Sequence, residues 1–498
     1  MKASDWFTKL VTVIKIPSLL AIVVFAAFVL GTILRLVVVH RYLPLSLDEA
    51  WTGAIVAQPT LRATIDQSLF EPNAPSYFIF MYFWTKWFGL SDSALRLPSF
   101  VFGAIAPLIT LLPSKGMERS ARLVWCGLVA LWIPGIWYSQ EARNYSLAFF
   151  LATACTVAYV RLLTQPSMQA AIGWALLGCL TILTQYHSLL LVGCQGIGYL
   201  VVHRQRALRT WPAALLFLPA VAWMVAHIPR VLQYADPKAS IYPLVKLGSL
   251  LEVIYFLVGD VRLAILLLIA ALALGVLAWQ STSPPRRAKF PDATSVWVAA
   301  GTAAVGALVL ISIGTLRPTF AVRYLIAFTP GILLGFSLLA ARFGQRWELV
   351  PVGIVILFGI FACAENARIS QIDGKSVWNF EQASHELEKY GVDQVVFLLD
   401  SPVTKILQPS QLKALGGFYF KRDGLTIHIT PIFLQPGDNP NESLLAAATT
   451  SRSGILWLYE PQFSNTAAVS VQIEQIDRAW VCNNFVREPL GVVACHRK

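Results

Sequence analysis

The chain has 498 residues, 56% of them hydrophobic and only 13% charged, with a mean hydropathy of +0.61, whereas soluble proteins run at about 45–50% apolar and about 25% charged. That composition excludes a soluble globular protein and a disordered one. The formal charge of +12 does not require nucleic acid, because Lys and Arg that hold cytoplasmic loops inside account for a basic balance in a membrane protein.

Stretches near the ~20 apolar residues that span a ~30 Å hydrocarbon core recur along the chain, which predicts a polytopic α-helical membrane protein. Lys2, Lys9 and Lys15 precede an apolar run from Leu19 to about Val39, longer than the roughly 7–15 residues of a signal-peptide core. It reads as a retained signal anchor, so residues 40–97 form the first outer loop. Within that loop Ser76 to Leu90 is short, rich in Tyr, Trp and Phe, and interrupted by Lys86. It is expected as an interfacial helix lying in the membrane plane, because Tyr and Trp prefer the headgroup level.

Further spans are expected near 98–113, 121–138, 144–163, 170–187, 188–202, 210–228, 261–279, 294–313, 323–341 and 349–365, eleven in all with the anchor. Every basic loop then falls on the cytoplasmic side: Lys115, Arg119 and Arg122; Arg161; Arg204, Arg206 and Arg209; Arg286, Arg287 and Lys289 after a Pro-Pro break; Arg342 and Arg346. Residues 1–365 thus make a membrane domain and 366–498 a small mixed α/β domain, placed outside by the parity of the spans. Its strands are expected at Val395–Leu399 and Ile455–Tyr459, between Pro, Gly and Asn turns. Cys482 and Cys495 could close a hairpin as a disulfide in an oxidising compartment, or stay as two thiols. Cys126, Cys155, Cys179, Cys194 and Cys363 lie in apolar segments as small hydrophobes. No internal repeat is evident, which weighs against an inverted-repeat transporter.

The chemistry concentrates on the outer face. Asp48 and Glu49 are adjacent carboxylates just past the first span. Ser46 and Glu49 fit a capping box, so Glu49 reads as a cap or as a reacting group; Asp48 is free of the box and suits proton abstraction from an incoming hydroxyl or amine. Glu141, Arg143 and Tyr145 follow the third span, Gln185, Tyr186 and His187 the fifth, and Arg317, Arg323 and Tyr324 precede the tenth. Interfacial snorkelling is the plainer account of each group alone, and His187 has no HxxxH or DxD beside it. Acids and arginines converging from several loops suit a phosphate-bearing lipid substrate, with guanidinium forks on the phosphate and a carboxylate as base.

The motifs resemble those of the GT-C superfamily of integral-membrane glycosyltransferases, in the branch of the protein O-mannosyltransferases and lipid A aminoarabinose transferases. The resemblance covers roughly residues 19–340. It rests on Asp48-Glu49 in the first outer loop, Leu95-Arg96-Leu97-Pro98-Ser99 with Gly103, Ser139-Gln140-Glu141-Ala142-Arg143-Asn144-Tyr145, and Arg323-Tyr324 with Pro330. It departs where the family shows H-P-P-L-Y-Y: Asn73-Ala74-Pro75-Ser76-Tyr77-Phe78 keeps one proline and one tyrosine.

The resemblance implies inverting transfer of a sugar from a polyprenyl-phosphate carrier to an acceptor protein, lipid or envelope glycan at the outer face of a bacterial inner or plasma membrane. Asp48 carries over as the catalytic acid, with Glu49 and Glu141 as further catalytic candidates. Arg143 and Arg323 are expected on the leaving phosphate, and Tyr145, Tyr324, Arg96, Tyr77 and His187 around the substrate. No cofactor is expected; a divalent cation held by Asp48 with Glu49 is the alternative. Nucleic acid is not an expected partner. A lipid-linked oligosaccharide ligase or polymerase would use a similar outer face, and a transporter or flippase would need ionisable groups near the midplane, where few candidates exist.

Overall fold

The computed structural model describes residues 18–39, 44–112, 116–234, 243–280, 293–345, 347–372, 380–400, 406–434, 452–459, 473, 477–487 and 490–498. Lys2, Lys9, Lys15, Lys115, Arg286, Arg287, Lys289 and Arg346 lie outside the described residues. The first span is helix α1, Leu19–Val39, apolar but for Thr32 and Arg35, and it rises about 31 Å. Three short helices then build the loop between the first two spans. α2 (Leu47–Val56) is capped by Ser46, α3 (Leu61–Ser68) by Thr60, and α4 is Ser76–Phe88. With 13 residues α4 is too short to cross a bilayer. Ser91 caps α5 (Asp92–Ile109), which carries Pro98 and Pro107 inside it.

The expected span 121–138 is helical but broken. α6 (Arg119–Leu131) ends at Trp132, which is extended, and α7 (Ile133–Tyr138) restarts with Pro134 in its first turn, a place where a missing N–H is tolerated. α8 is Tyr145–Thr164, α9 Met168–Ile182 and α10 Ser188–His203. The basic stretch Arg204, Arg206 and Arg209, expected as a loop, lies in a 3₁₀ segment, Arg204–Phe217, that leads directly into α11 (Leu218–Tyr234).

α12 (Ser249–Val258) stops at Gly259, whose φ of +102° suits a residue without Cβ, and α13 (Val261–Gln280) leaves at 76° to it. α14 (Ala293–Leu316), a 3₁₀ turn at Val322–Ala327, α15 (Thr329–Gly344) and α16 (Leu349–Ile372) complete the membrane domain. Each expected apolar span overlaps helix, although 170–187 stops at Ile182 and both 210–228 and 323–341 open in 3₁₀ segments. Among the described residues six helices are long and apolar enough to cross a membrane, or seven with the bent α12–α13 pair, while Met168–Ile182 and Thr329–Gly344 are shorter apolar helices. The lower count has physical sources: the break at Trp132, the shortness of α9 and α15, and the 3₁₀ bridge that merges 188–234 into one path. The protein is an integral membrane protein of mixed long, short and broken helices, with a small sheet domain at its C-terminal end.

That sheet has five strands in the order β2-β1-β3-β5-β4. β1 (Gln394–Asp400) pairs in parallel with β2 (His428–Leu434) and β3 (Ser453–Tyr459), and β5 (Leu490–Arg497) runs antiparallel to β3 and to β4 (Trp480–Arg487). Both strands expected from sequence are present. Cys482 and Cys495 are register partners on β4 and β5 and are joined as a disulfide.

Alternation along β1 divides the two faces. Val396 and Leu398 join one cluster with Ile455 and Trp480. Val395, Phe397 and Leu399 join another that also holds Leu45, Ala50, Tyr77, Phe78 and Ala142 from the membrane domain. Helices α17 (Phe380–Lys389), α18 (Pro409–Gly416) and α19 (Phe418–Arg422) lie on that second face. The close approach is explicit at Gly53 of α2, where a Cβ would sit 2.3 Å from the Phe418 ring. Lys421 donates to the carbonyl of Ala57 at 2.6 Å, and Arg422 pairs with Asp92 at 2.8 Å and with Glu381.

Candidate functional site

The sequence Leu45-Ser46-Leu47-Asp48-Glu49 folds as it does because the helix start needs acceptors for its free amides. Ser46 Oγ accepts from the Glu49 amide at 3.3 Å and Glu49 Oε2 accepts from the Ser46 amide at 2.9 Å, completing the capping box. Glu49 does more than cap. Its Oε1 accepts from Arg96 Nε at 2.7 Å and the Ala142 amide at 2.9 Å, and its Oε2 from Arg96 Nη2 at 2.9 Å. Buried and with both oxygens engaged, this carboxylate fastens three segments: α2, the RLPS turn of α5, and the loop before α8. Arg96 Nη2 also reaches the Pro44 carbonyl at 3.2 Å.

Asp48, one residue earlier, faces the other way. Its side chain is 56% exposed and, among the described residues, meets only Arg143 Nη2, at 3.9 Å. Arg143 is buried and held by its neighbours: Nη1 donates to the Asp48 carbonyl at 3.0 Å and Thr52 Oγ1 at 3.4 Å, and its own carbonyl accepts from Ser99 at 3.4 Å. Its Nε is buried without a hydrogen-bond partner. Burial works against its charge, but Asp48, Tyr145 and Glu71 outweigh it and hold the guanidinium protonated.

Glu141 stands in the same electrostatic field. Burial, with Glu49 and Asp48, pushes its carboxyl up to about 8, against the pull of Arg143 and Arg323. A fourth acid, Glu71, was not singled out from sequence. It is buried, accepts the Trp51 indole N–H, and is pushed up to about 7 by burial and Asp48, with Arg143 and Arg230 opposing. Its only sequence signal is a carboxylate in a Pro-flanked loop two residues before Asn73.

The other expected residues divide. Arg323 and Tyr324 sit on the 3₁₀ turn rather than on a helix; Gln185 Nε2 donates to the Arg323 carbonyl at 3.5 Å, and Tyr324 stacks on His187 at 3.9 Å and 14°. Burial lowers His187 to about 4, so its imidazole is neutral. Tyr145 packs its ring 4.7 Å from that of Tyr138. Tyr77 is 1% exposed inside the shared apolar cluster, and its hydroxyl has no hydrogen-bond partner among the described residues. Tyr186 turns away to α11, where its hydroxyl meets His227 Nδ1 at 2.5 Å and the Trp223 indole at 2.7 Å. The Arg317 side chain makes no hydrogen bond or ion pair among the described residues.

Two further contacts fix the frame: Asn144 Nδ2 donates to the Thr184 carbonyl at 2.6 Å, and Thr184 Oγ1 meets Ser76 Oγ at 2.7 Å. For a metal ion, the described residues offer one group of three, His385, Glu388 and Asp423 in the C-terminal domain, with ligand atoms within 4.8 Å of one another. Asp48 lacks a free carboxylate partner in Glu49, whose oxygens are taken by Arg96 and by the Ser46 and Ala142 amides.

The architecture is a polytopic helical membrane domain, a loop helix that carries the paired acids Asp48 and Glu49, and a C-terminal sheet domain resting on it. Solved structures share it. The crystal structure of ArnT from Cupriavidus metallidurans in the apo state covers 95% of this chain and 97% of its own, with a TM-score of 0.54 at 11% identity. ArnT from the same organism bound to undecaprenyl phosphate covers 99% and 98%, with a TM-score of 0.51 at 10% identity. The Archaeoglobus fulgidus oligosaccharyltransferase in complex with zinc and sulfate aligns over 95% of this chain and 73% of its own, at 10% identity and a TM-score of 0.47, too loose a likeness to carry an argument. At these identities the likeness establishes a common fold over nearly the whole of the ArnT chain. No family model matches the sequence, and no curated protein matches it.

Proposed function

We propose that the protein is an inverting glycosyltransferase that moves a sugar from a polyprenyl-phosphate carrier to an acceptor protein, lipid or envelope glycan at the outer face of a bacterial inner or plasma membrane. One observation carries the reading: a buried, permanently charged Arg143 stands 3.9 Å from a half-exposed Asp48, on a fold shared with a protein crystallised with undecaprenyl phosphate. An acid and a cation so placed can divide the work of a displacement at an anomeric carbon. Asp48 takes the proton of the acceptor hydroxyl or amine as it attacks, help worth about 10²–10⁴ in rate. The bond to the carrier phosphate breaks on the opposite side, and the phosphate leaves with the electron pair.

Charge gathers on that phosphate in the transition state, so fixed cations lower the barrier more than they tighten ground-state binding. Arg143 supplies one such charge, and Arg323 a second that already bears on Glu141. Glu49 and Arg96 serve as the frame, since their mutual bonds hold α2 against α5 and the 139–144 loop. Glu141, protonated near neutral pH, adds a hydrogen-bond donor without adding negative charge. Tyr145, Tyr324, His187 and Tyr77 form the uncharged surround. The scheme needs no cofactor and no metal.

The test is transfer from a panel of polyprenyl-phosphate sugars by the purified protein in lipid, with loss of donor and appearance of product in an added envelope extract. Wild type should consume one donor and Asp48→Asn should not, while both remain folded and inserted. If Asp48→Asn turns over at close to the wild-type rate, Asp48 has no part in the step.

A further inference from the structure

Arg35 lies within the first membrane span and is 1% exposed, yet no carboxylate pairs with it among the described residues. An unpaired cation inside a span is costly and is kept where it serves a purpose. Its three contacts name that purpose. Nη1 donates to the carbonyls of Gly31 at 2.9 Å and Ala130 at 2.7 Å, and Nε donates to Ser139 Oγ at 3.1 Å. In an unbroken helix the Ala130 carbonyl would be met by the amide of residue 134, but Pro134 has none. Arg35 therefore occupies the acceptor that the α6–α7 break sets free.

From there the same guanidinium reaches Ser139, the first residue of the segment that carries Glu141 and Arg143. Ser139 Oγ in turn donates a hydrogen bond to the Gly135 carbonyl at 2.5 Å. The site is built to this fit: a Cβ on Gly103 would lie 2.0 Å from Ser139 Oγ, and one on Gly31 would lie 2.3 Å from the Ala130 carbonyl. The far end of the segment is held separately, by Glu49 at the Ala142 amide and Ser99 at the Arg143 carbonyl.

We propose that Arg35 is a positioning residue for the candidate site, fixing from inside the membrane the near end of the Ser139–Asn144 segment and so the placement of Glu141 and Arg143. A planar fork can bridge three acceptors on separate segments where a lysine ammonium cannot. The effect on lipid binding rests on the phosphate reading above; the effect on the segment itself does not.

The experiment uses the full-length protein in lipid nanodiscs and reads amide hydrogen exchange over 139–145 together with affinity for undecaprenyl phosphate, in Arg35→Lys, Ser139→Ala and the double variant. Each single variant should speed exchange in that segment and weaken the lipid roughly tenfold, and the double should be no worse than either single. Gly103→Ala, whose Cβ crowds Ser139 Oγ and stands 3.3 Å from Arg35 Nε while leaving the guanidinium itself in the chain, should loosen the same segment and keeps the test open if Arg35→Lys fails to insert. Exchange at wild-type rates over 139–145 in Ser139→Ala and Gly103→Ala, or additive losses in the double, would overturn the positioning role. Loosened exchange in a protein whose wild type ignores the lipid would support that role and overturn the phosphate reading instead.

Discussion

Asp48 and Glu49 are neighbours in sequence and opposites in setting. Glu49 is buried against Arg96, so removing one partner strands the other's charge. Arg96→Ala should lower unfolding stability in detergent by about 3–5 kcal/mol, and the double Glu49→Ala/Arg96→Ala should cost less than the two singles summed. An additive double would mean that the pair is not coupled. The raised acids give a pH dependence of definite sign. Glu141 is neutral below about 8 and Glu71 below about 7, and each gains a negative charge as pH rises through its value. Affinity for undecaprenyl phosphate should therefore fall between those two values. Glu71→Gln should remove the lower part of that fall and Glu141→Gln the upper, and a profile unchanged in both variants would separate these acids from the site. The lipid's own titration is common to all the proteins compared. Both carboxyls lie above their ordinary value, so the folded state binds the extra protons, and each contributes stability that is fully present below the ordinary value of 4.5 and is lost as pH rises from there through about 7 for Glu71 and about 8 for Glu141.

Elements were legible to different degrees. The capping box was readable because Ser46 and Glu49 stand three residues apart, and so was the acid–arginine convergence. The Glu49–Arg96 pair was not, because its members are 47 residues apart and nothing local joins them. Hydropathy located the spans but not their breaks, since it measures apolar content and not the continuity of backbone hydrogen bonds; Pro134 was the one visible sign. The strands of the C-terminal domain showed as short apolar runs between turns, while the docking of α19 on α2 depended on Gly53, a glycine with no motif around it. Gly53→Val should force the Phe418 ring aside at a cost of about 1–3 kcal/mol, and adding Phe418→Leu should recover part of it along with sugar transfer. If the second change worsens the first, the contact is not what holds the helix in place.

At the scale of the whole molecule the outer loop and the C-terminal domain share one apolar cluster, so they must reside on the same side of the membrane. A periplasmic reporter fused after Lys498 should be active; activity of a cytoplasmic reporter at that point instead would invert the orientation proposed here. The fold class followed from composition and the spacing of the apolar runs. The shared cluster did not, because its residues are drawn from both ends of the chain and none of its contacts is local.

That shared cluster sets an order on biogenesis. Leu45, Ala50, Tyr77 and Phe78 emerge early from the ribosome, but Phe397, Phe418 and Leu456, which cover them, follow only after more than 300 further residues. Through most of synthesis the α2 helix carries an uncovered apolar face at the membrane surface, a state that invites chaperones and proteases. Nascent chains halted before residue 380 should accordingly be cleared faster than full-length ones, and α2, which carries the proposed base Asp48, acquires its final packing only once the C-terminal domain has folded.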